Sequence, residues 1–159
     1  MKLSIAFLSG AAFLCACTPR DKPMGPALTD LGTRYAAAWS SQNPTRLASF
    51  YAADGSLTVN GGSPAIGRGA IAAKAQSFMT AFPDMVVRLD RMDQQGDHPV
   101  FRWIWTGTNT GPGGTGKFVR ITGYEEWTLD KSGLIAKSDG HYDEAEYERQ
   151  LKVGAPQPP

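Results

Sequence analysis

The spacing of apolar residues changes near residue 84, and this change constrains the fold more than any other feature of the sequence. Up to that point apolar side chains recur at helical spacing, and beyond it they alternate with polar ones. The first helix of the early part is marked by Leu28, Leu31, Tyr35, Ala38 and Trp39. Helices followed by a run of strands predict an α+β fold, with the helices covering one face of a curved antiparallel sheet.

Two more helices are predicted before the change. Asn43-Pro44 is typical of a helix start, so a second short helix carries Leu47, Phe50 and Tyr51 until Asp54-Gly55 ends it. A strand at 56–60 and the turn Asn60-Gly61-Gly62 follow. The third helix covers 67–82 and ends at Pro83. Its apolar face consists of Ile71, Ala75, Phe78, Met79 and Phe82.

Four strands and a last helix are predicted beyond the change. The strands cover residues 85–94, 98–111, 116–130 and 133–143. Turn residues separate the members of this series, as expected for consecutive antiparallel strands. The last helix covers 144–152 and ends before Gly154.

The first 17 residues have the form of an export signal. Lys2 precedes an apolar stretch, residues 3–16, that is too short to span a membrane. The end of the stretch, Leu14-Cys15-Ala16-Cys17, resembles the lipobox of bacterial lipoproteins. That resemblance implies that Cys17 is lipidated and becomes the first mature residue. Ordinary signal-peptidase cleavage or an uncleaved anchor are the alternatives.

The lipobox defines the expected organisation of the chain. Residues 18–27 form a flexible tether, 28–154 the folded domain, and 155–159 a disordered tail. Thr18 is not the Asp that retains lipoproteins in the inner membrane, so the resemblance implies an outer-membrane protein that faces the periplasm. Because Cys15 leaves with the signal and Cys17 is acylated, we expect no disulfide.

Charge and loop sequence argue against nucleic acid and nucleotides. The formal net charge is +1, from 16 basic and 15 acidic residues, which does not favour a nucleic-acid partner. Residues 111–117, GPGGTGK, match the letters of a phosphate-binding loop, but Phe118 stands where that loop needs Ser or Thr. The segment also joins two strands and opens no helix. We therefore predict no cofactor.

Five strings in order resemble the SnoaL-like branch of the NTF2-like superfamily, over about Thr29 to Gly154. They are AAAWSSQNPTRLASFYAADGSLTV, IGRGAIAAKAQSFMTAFPDM, WTGTNTG, TGKFV and KSGLIAKSDGHYD with RQLKVG. The resemblance implies a cone-shaped barrel, in which a bent sheet wraps around about three helices and encloses a deep apolar pocket. Members of the family often dimerise, so a homodimer is an expectation. Some members are polyketide cyclases that use an acidic residue as base, and relatives include steroid isomerases.

The resemblance carries two polar positions onto this chain. The catalytic Asp of the family falls on Asp143, and its His falls on Asn109, which can hydrogen-bond but cannot exchange a proton near neutral pH. Asp143 also has a structural interpretation, because Asp143-x-x-Glu146 has the form of a helix-capping box. The two roles are compatible.

The stretch around Asp143 raises the question of a metal site. Asp139, His141 and Asp143 recur at every second residue, which places them on one face of an extended strand. Three such residues could chelate a metal only if the strand bulged. We predict no metal site and expect His141 to be a rim residue or a hydrogen-bond partner of Asp139.

Glu125 is the second candidate acid. It shares a strand face with the apolar residues Val119, Ile121, Trp127 and Leu129. If the alternation holds, Glu125 faces the pocket and desolvation raises its pKa. The alternative is a bulge that turns Glu125 to solvent and Glu126 inward.

We predict that the domain binds a small, mostly apolar molecule. The candidate binding residues are Tyr35, Trp39, Trp103, Trp105, Asn109, Tyr124 and His141. An enzyme of this kind would abstract a proton next to a carbonyl, with Asp143 or Glu125 as base and Tyr124 or Asn109 as donor to the oxyanion. The alternative is a non-catalytic assembly module, whose outer sheet face recruits a protein partner. For Trp103 and Trp105 the sequence leaves a core, a dimer-facing sheet and a pocket wall open.

Overall fold

The computed structural model describes residues 26–156, which form a six-stranded sheet and four helices. The helices are α1 (Pro26–Ser40), α2 (Pro44–Ala48), α3 (Gly67–Ala81) and α4 (Glu144–Val153). The strands are β1 (Tyr51–Val59), β2 (Ala65–Ile66), β3 (Val86–Gln95), β4 (His98–Thr108), β5 (Phe118–Leu129) and β6 (Ile135–Tyr142). The predicted α+β class is confirmed. The predicted lipobox with Cys17, the export signal and most of the tether lie outside the described residues.

The sheet has the order β2-β1-β6-β5-β4-β3, and it is curved and not closed, since β2 and β3 form its two edges. Four of the five strand pairs are antiparallel. The pair of β1 and β6 is parallel, so the expectation of an antiparallel sheet throughout is wrong at this position. The reason is that β6 returns beside β1 after the β3–β5 meander and runs in the same direction.

The second helix is shorter than predicted. It begins as expected, because the Asn43 side chain accepts a hydrogen bond from the backbone N–H of Arg46 at 3.0 Å and Pro44 occupies the first turn. It ends at Ala48, and Tyr51 starts β1 instead of continuing the helix. Asp54 and Gly55 therefore lie inside a strand. A side chain at Gly55 would come within 2.8 Å of a backbone carbonyl oxygen of β6, so glycine permits the close approach of the two strands.

The core lies between the concave face of the sheet and helices α1 and α3. The apolar face of α3 is buried as predicted for Ile71, Ala75, Met79 and the adjoining Phe82. Phe78 is only half-buried, because it faces a pocket. No helix among the described residues is long and apolar enough to span a membrane.

Candidate functional site

An inner pocket, with a cavity volume of about 70 Å³, lies between the concave face of the sheet and helices α1 and α3. Its walls include Trp39 of α1, Phe78 of α3, and Trp103 and Trp105 of β4. The two β4 residues point inward because alternate residues of a strand face the same side. Both tryptophans line the pocket and also belong to the packing of the core, in which Trp105 is buried, so their role in binding stays a prediction.

Three of the aromatic rings meet nearly at right angles. The Trp39 and Phe78 rings are 6.1 Å apart at 82°, and the Phe78 and Trp105 rings are 6.0 Å apart at 90°. Aromatic pairs favour this edge-to-face geometry because the positive edge of one ring meets the negative face of the other. These three rings, Trp39, Phe78 and Trp105, line one part of the pocket wall, and we call them the aromatic box.

The fourth wall, Trp103, depends on a glycine in the neighbouring strand. Trp103 of β4 pairs with Gly123 of β5. A Cβ atom at Gly123 would lie 2.3 Å from the Trp103 ring, so the indole fills the space that a side chain would occupy. The absence of a side chain at this position therefore determines where Trp103 lies.

Among the described residues that line the pocket, Glu125 is the one acid, and it is 6 % exposed. Its Oε2 accepts three hydrogen bonds: from the Ser138 hydroxyl at 2.7 Å, the Tyr35 hydroxyl at 2.9 Å and the Trp127 indole N–H at 3.0 Å. None of the hydrogen bonds between described residues involves Oε1, so this oxygen is available to a bound molecule. The inward orientation agrees with the alternation of β5.

Burial raises the pKa of the Glu125 carboxyl, and the hydrogen bonds from Ser138, Trp127 and Tyr35 oppose the rise. The Tyr35 hydroxyl also lies 2.6 Å from the Tyr51 hydroxyl. Burial raises the pKa of both phenols well above the usual value, so both remain hydrogen-bond donors. Of the residues that hydrogen-bond to Glu125, only Tyr35 is among the predicted site residues, and its hydroxyl donates to Oε2 of Glu125.

Tyr142 is a pocket residue that sequence reasoning missed. It lies at the end of β6 on the inner face and lines the inner pocket with Glu125. Its backbone N–H donates to the Asn60 side chain at 3.0 Å, which ties the strand end to the turn after β1. Burial raises the pKa of the Tyr142 phenol, which therefore stays protonated and able to donate.

Tyr124 and Asp143 lie outside the inner pocket. With His141 they surround a second concavity of about 510 Å³, here called the outer depression, which adjoins the inner pocket at Trp103, His141 and Tyr142. The Tyr124 and His141 rings lie with their centroids 5.0 Å apart and their planes inclined at 30°, and the Arg102 guanidinium lies 5.4 Å from the centre of the Tyr124 ring. A binding role stays a prediction for both residues: for Tyr124 it belongs to the outer depression, and His141 lines both sites.

Asp143 caps α4. Its side chain accepts a hydrogen bond from the backbone N–H of Glu146 at 2.9 Å, as half of a capping box. In a full capping box the Glu146 carboxylate would accept a hydrogen bond from the backbone N–H of Asp143. Here it accepts hydrogen bonds from Arg149 and Gln150 instead. The Asp143 side chain is exposed. A catalytic role for Asp143 stays a prediction.

The Asn109 side chain forms hydrogen bonds with the loop between β4 and β5 and with the end of α3. Its side-chain amide donates to the carbonyl of Ala81 at 3.2 Å, and its Oδ1 accepts from the backbone N–H of Thr115 at 2.8 Å. Asn109 therefore fastens the glycine-rich loop to the end of α3, and it is not among the residues that line the inner pocket. The loop joins two antiparallel strands, as expected for the segment GPGGTGK.

The predicted alternation of Asp139 and His141 holds, but the two side chains are separately engaged. Asp139 forms an ion pair with Lys137 at 2.6 Å, and the His141 ring packs against the Tyr124 ring at an inclination of 30°. Within residues 26–156, no group of three or more His, Cys, Asp or Glu side chains is arranged to hold a metal ion.

Comparison with known proteins identifies the family. A family model described as a SnoaL-like domain matches residues 33–138. One similar solved structure is a hypothetical protein from Catenulispora acidiphila with a ketosteroid isomerase-like fold, in complex with trimethylamine. It is 21% identical, has a TM-score of 0.68, and the match covers 82% of this chain and 98% of that chain.

A second similar structure is a phenazine biosynthesis-related protein from Pseudomonas aeruginosa. It is 19% identical with a TM-score of 0.63, and the match covers 84% of this chain and 92% of that chain. No match was found among proteins with curated descriptions. The two structural likenesses show the fold, and the family model covers most of the folded domain. The chain therefore belongs to the SnoaL-like domain family.

Proposed function

We propose that this chain binds a small, mostly apolar molecule in the inner pocket, where Oε1 of Glu125 engages the molecule's polar group. One observation carries the proposal: a single carboxylate lies among aromatic walls, with one oxygen held by three donors and the other free. Apolar walls with one convergent polar group are typical of small-molecule sites.

The size of the pocket argues for a compact ligand. Its cavity volume of about 70 Å³ is small beside the roughly 300–1,000 Å³ of pockets that hold drug-sized molecules. A branched group of a few heavy atoms suits this space better than a polycyclic ring system. The structural neighbour from Catenulispora acidiphila, which holds trimethylamine, supports a ligand of this size.

A neutral probe tests the proposal. We expect 3,3-dimethylbutan-1-ol, which carries a compact tert-butyl group, to shift the indole N–H signals of Trp39, Trp103 and Trp105 in ¹⁵N NMR spectra and to saturate. Gly140→Ala should weaken binding, because the added methyl group enters the pocket wall beside Glu125 at ordinary contact distances of 3.4–3.5 Å. Thr128→Ala, at an exposed position of β5, is the control. Unsaturable shifts, or equal binding by Gly140→Ala, would contradict the proposal.

A second candidate function is proton transfer next to a carbonyl. Two observations favour it: burial raises the pKa of Glu125, which makes its carboxylate a stronger base, and the Tyr142 phenol lines the same pocket. Glu125 removes a proton from the carbon beside the carbonyl, and the C–H electron pair forms the enolate. The Tyr142 hydroxyl donates a hydrogen bond to the enolate oxygen, and the proton returns from Glu125 to carbon. Return of the proton to a different carbon gives isomerisation. In a ring closure the enolate carbon instead attacks a second carbonyl of the same molecule, and Glu125 gives its proton to the new alkoxide oxygen.

Exchange of ketone hydrogens tests the second candidate. In D₂O the protein should speed the exchange of the α-hydrogens of cyclopentanone, followed by ¹H NMR. Glu125→Gln should lower the rate about 10²-fold or more, while Glu126→Gln, an acid on the opposite strand face, should not. Loss of exchange in Asp143→Asn with retention in Glu125→Gln would transfer the role of base to Asp143. No acceleration by the wild type would exclude the reaction.

We also propose that the domain is anchored to the cell envelope through Cys17. The proposal rests on the sequence Leu14-Cys15-Ala16-Cys17 after an apolar segment. Cys17→Ser should release the protein from membrane fractions and remove the mass of the acyl chains, whereas Cys15→Ser should change neither. Membrane association that survives Cys17→Ser would refute the anchor.

A further inference from the structure

Glu125 lies in the fold without a cationic partner. None of the ion pairs between described residues includes it. The groups that face it are neutral: Tyr35 from α1, Tyr51 from β1, and Ser138 from β6. A buried carboxylate in such surroundings gains most from a ligand that brings the opposite charge.

The nearest cationic residues of β4 and β6 are engaged on the other side of the sheet. Arg102 forms a short ion pair with Asp93, and Lys137 pairs with Asp139. Both belong to the outer face, because they alternate with the inward residues Trp103 and Ser138. Neither of these side chains reaches the pocket, and His141 is the one basic residue among the described residues that line it, so we expect a bound cation to supply the charge opposite Glu125.

The aromatic box suits a cation of a particular kind. The faces of aromatic rings carry negative electrostatic potential and attract cations, Trp most strongly, and rings that enclose a cation are a recognised means of binding methylated ammonium groups. A primary ammonium has three N–H donors to satisfy, whereas the pocket wall offers one free carboxylate oxygen. Alkyl groups on nitrogen replace those donors with apolar surface that the rings can contact.

Resting on the proposed function, we propose that the inner pocket selects an alkylated ammonium group, either a protonated tertiary amine or a quaternary ammonium, with Glu125 as its counter-ion and the aromatic box as its walls. The competing arrangement is a protonated Glu125 that donates from Oε1 to a neutral carbonyl or hydroxyl. The two arrangements predict opposite preferences between ligands of equal shape.

Choline and 3,3-dimethylbutan-1-ol provide that comparison, because they differ only by N⁺ in place of carbon. Binding is measured by titration with NMR or calorimetry at one pH and one ionic strength. We expect choline to bind the wild type about tenfold or more tighter, the gain typical of a desolvated cation among aromatic rings. Ethanolamine, a primary ammonium, should bind more weakly than choline. Equal binding of the two isosteres, or tighter binding of the neutral one, would overturn the inference.

Variants identify the source of the preference. Glu125→Gln keeps the shape and an acceptor for the three donors but removes the charge, so the affinity for choline should fall much more than the affinity for the neutral probe, and the preference for choline should be lost. Phe78→Leu, at a half-buried position, should weaken choline more than the neutral probe. Glu126→Gln is the matched control, since it removes an adjacent negative charge from the outer face and should leave the preference intact. Loss of the preference in Glu126→Gln would mean that general charge, not the pocket, attracts the cation.

The outcomes also separate this inference from the proposed function. If neither probe binds, the proposed function itself fails. If the neutral probe binds and choline is not preferred, the pocket binds a small molecule but the cationic class is wrong.

Discussion

The Tyr35 hydroxyl on α1 donates a 2.9 Å hydrogen bond to Oε2 of Glu125 on β5, across 90 positions of sequence. Both residues are buried, since Tyr35 is 0% and Glu125 is 6% exposed. The bond therefore joins the first helix to the centre of the sheet and determines which carboxylate oxygen stays free for the pocket.

Removing this donor should alter both stability and ionisation. Tyr35→Phe should lose about 1 kcal/mol of unfolding free energy, the net value of a typical hydrogen bond. The pKa of Glu125 should rise further, because the lost hydrogen bond favours the ionised carboxylate. Urea unfolding and ¹³C NMR titration of the Glu125 carboxyl measure the two effects. Tyr124→Phe, on the outer face, is the control, and an unchanged Glu125 titration in Tyr35→Phe would show that the bond is not formed in solution.

The pKa of Glu125 predicts how stability depends on pH. Burial raises its folded-state pKa above the unfolded value of about 4.3. The stability that this group contributes is therefore fully present below about pH 4.3 and is lost as pH rises through the folded-state pKa. The phenols that face it, Tyr35 and Tyr51, titrate only at alkaline pH.

The difference in unfolding free energy between wild type and Glu125→Gln isolates this contribution, because the other titrating groups cancel. The difference should become less favourable to the wild type as pH rises above about 4.3. Urea unfolding at a series of pH values measures it. A difference that is flat, or that rises with pH, would show that the pKa of Glu125 is not raised.

Two glycines, Gly140 on the wall of the inner pocket and Gly123 on that of the outer depression, should respond differently to the same substitution. In Gly123→Ala the new Cβ atom would lie 2.3 Å from the Trp103 ring and 2.5 Å from the carbonyl oxygen of His141. We expect a loss of about 1–3 kcal/mol, as for other overpacked sites, and a changed Trp103 NMR signal. Gly140→Ala meets its neighbours at 3.4–3.5 Å and should change stability by less than about 0.5 kcal/mol. Equal losses would mean that Trp103 does not lie across Gly123.

The cap of α4 can be separated from a charge effect. Asn caps a helix about as well as Asp, so Asp143→Asn should stay within about 0.5 kcal/mol of the wild type. Asp143→Ala removes the acceptor of the Glu146 N–H and should lose about 1 kcal/mol. Thermal or urea unfolding compares the variants. An Asn variant as unstable as the Ala variant would show that the negative charge, rather than the hydrogen bond, stabilises this end of the helix.

The change of hydrophobic period was sufficient to predict the α+β class and the inward orientation of Glu125, because both depend on local alternation. The extent of α2 could not be predicted in this way. Phe50 and Tyr51 fit a helix and a strand equally well, and Asp54-Gly55 usually ends an element. Position 55 is a glycine because a side chain there would collide with the backbone of Ile135, and this contact with a residue far away in sequence cannot be read from the local pattern.

The opening of the inner pocket was missed for a related reason. On β6 the sequence pattern drew attention to Asp139 and His141, yet Asp139 lies on the outer face and His141 lies at the border between the two cavities. The inward set is Ser138, Gly140 and Tyr142, whose small or amphipathic side chains give no strong hydrophobic signal. Asn109 is the opposite case. The resemblance to the family drew attention to this polar residue, but its side chain is hydrogen-bonded to the neighbouring loop.

The parallel pairing of β1 with β6 has a consequence for how the chain acquires its fold. Tyr51 pairs with Ile135 and Thr58 with Asp139, so the centre of the sheet is completed only by the last strand. Contacts between residues so distant in sequence slow folding, because a long loop must close before they form. During synthesis β1 therefore lacks its central partner until almost the whole domain has left the ribosome, and the hydrophobic core cannot consolidate from the N-terminal part alone.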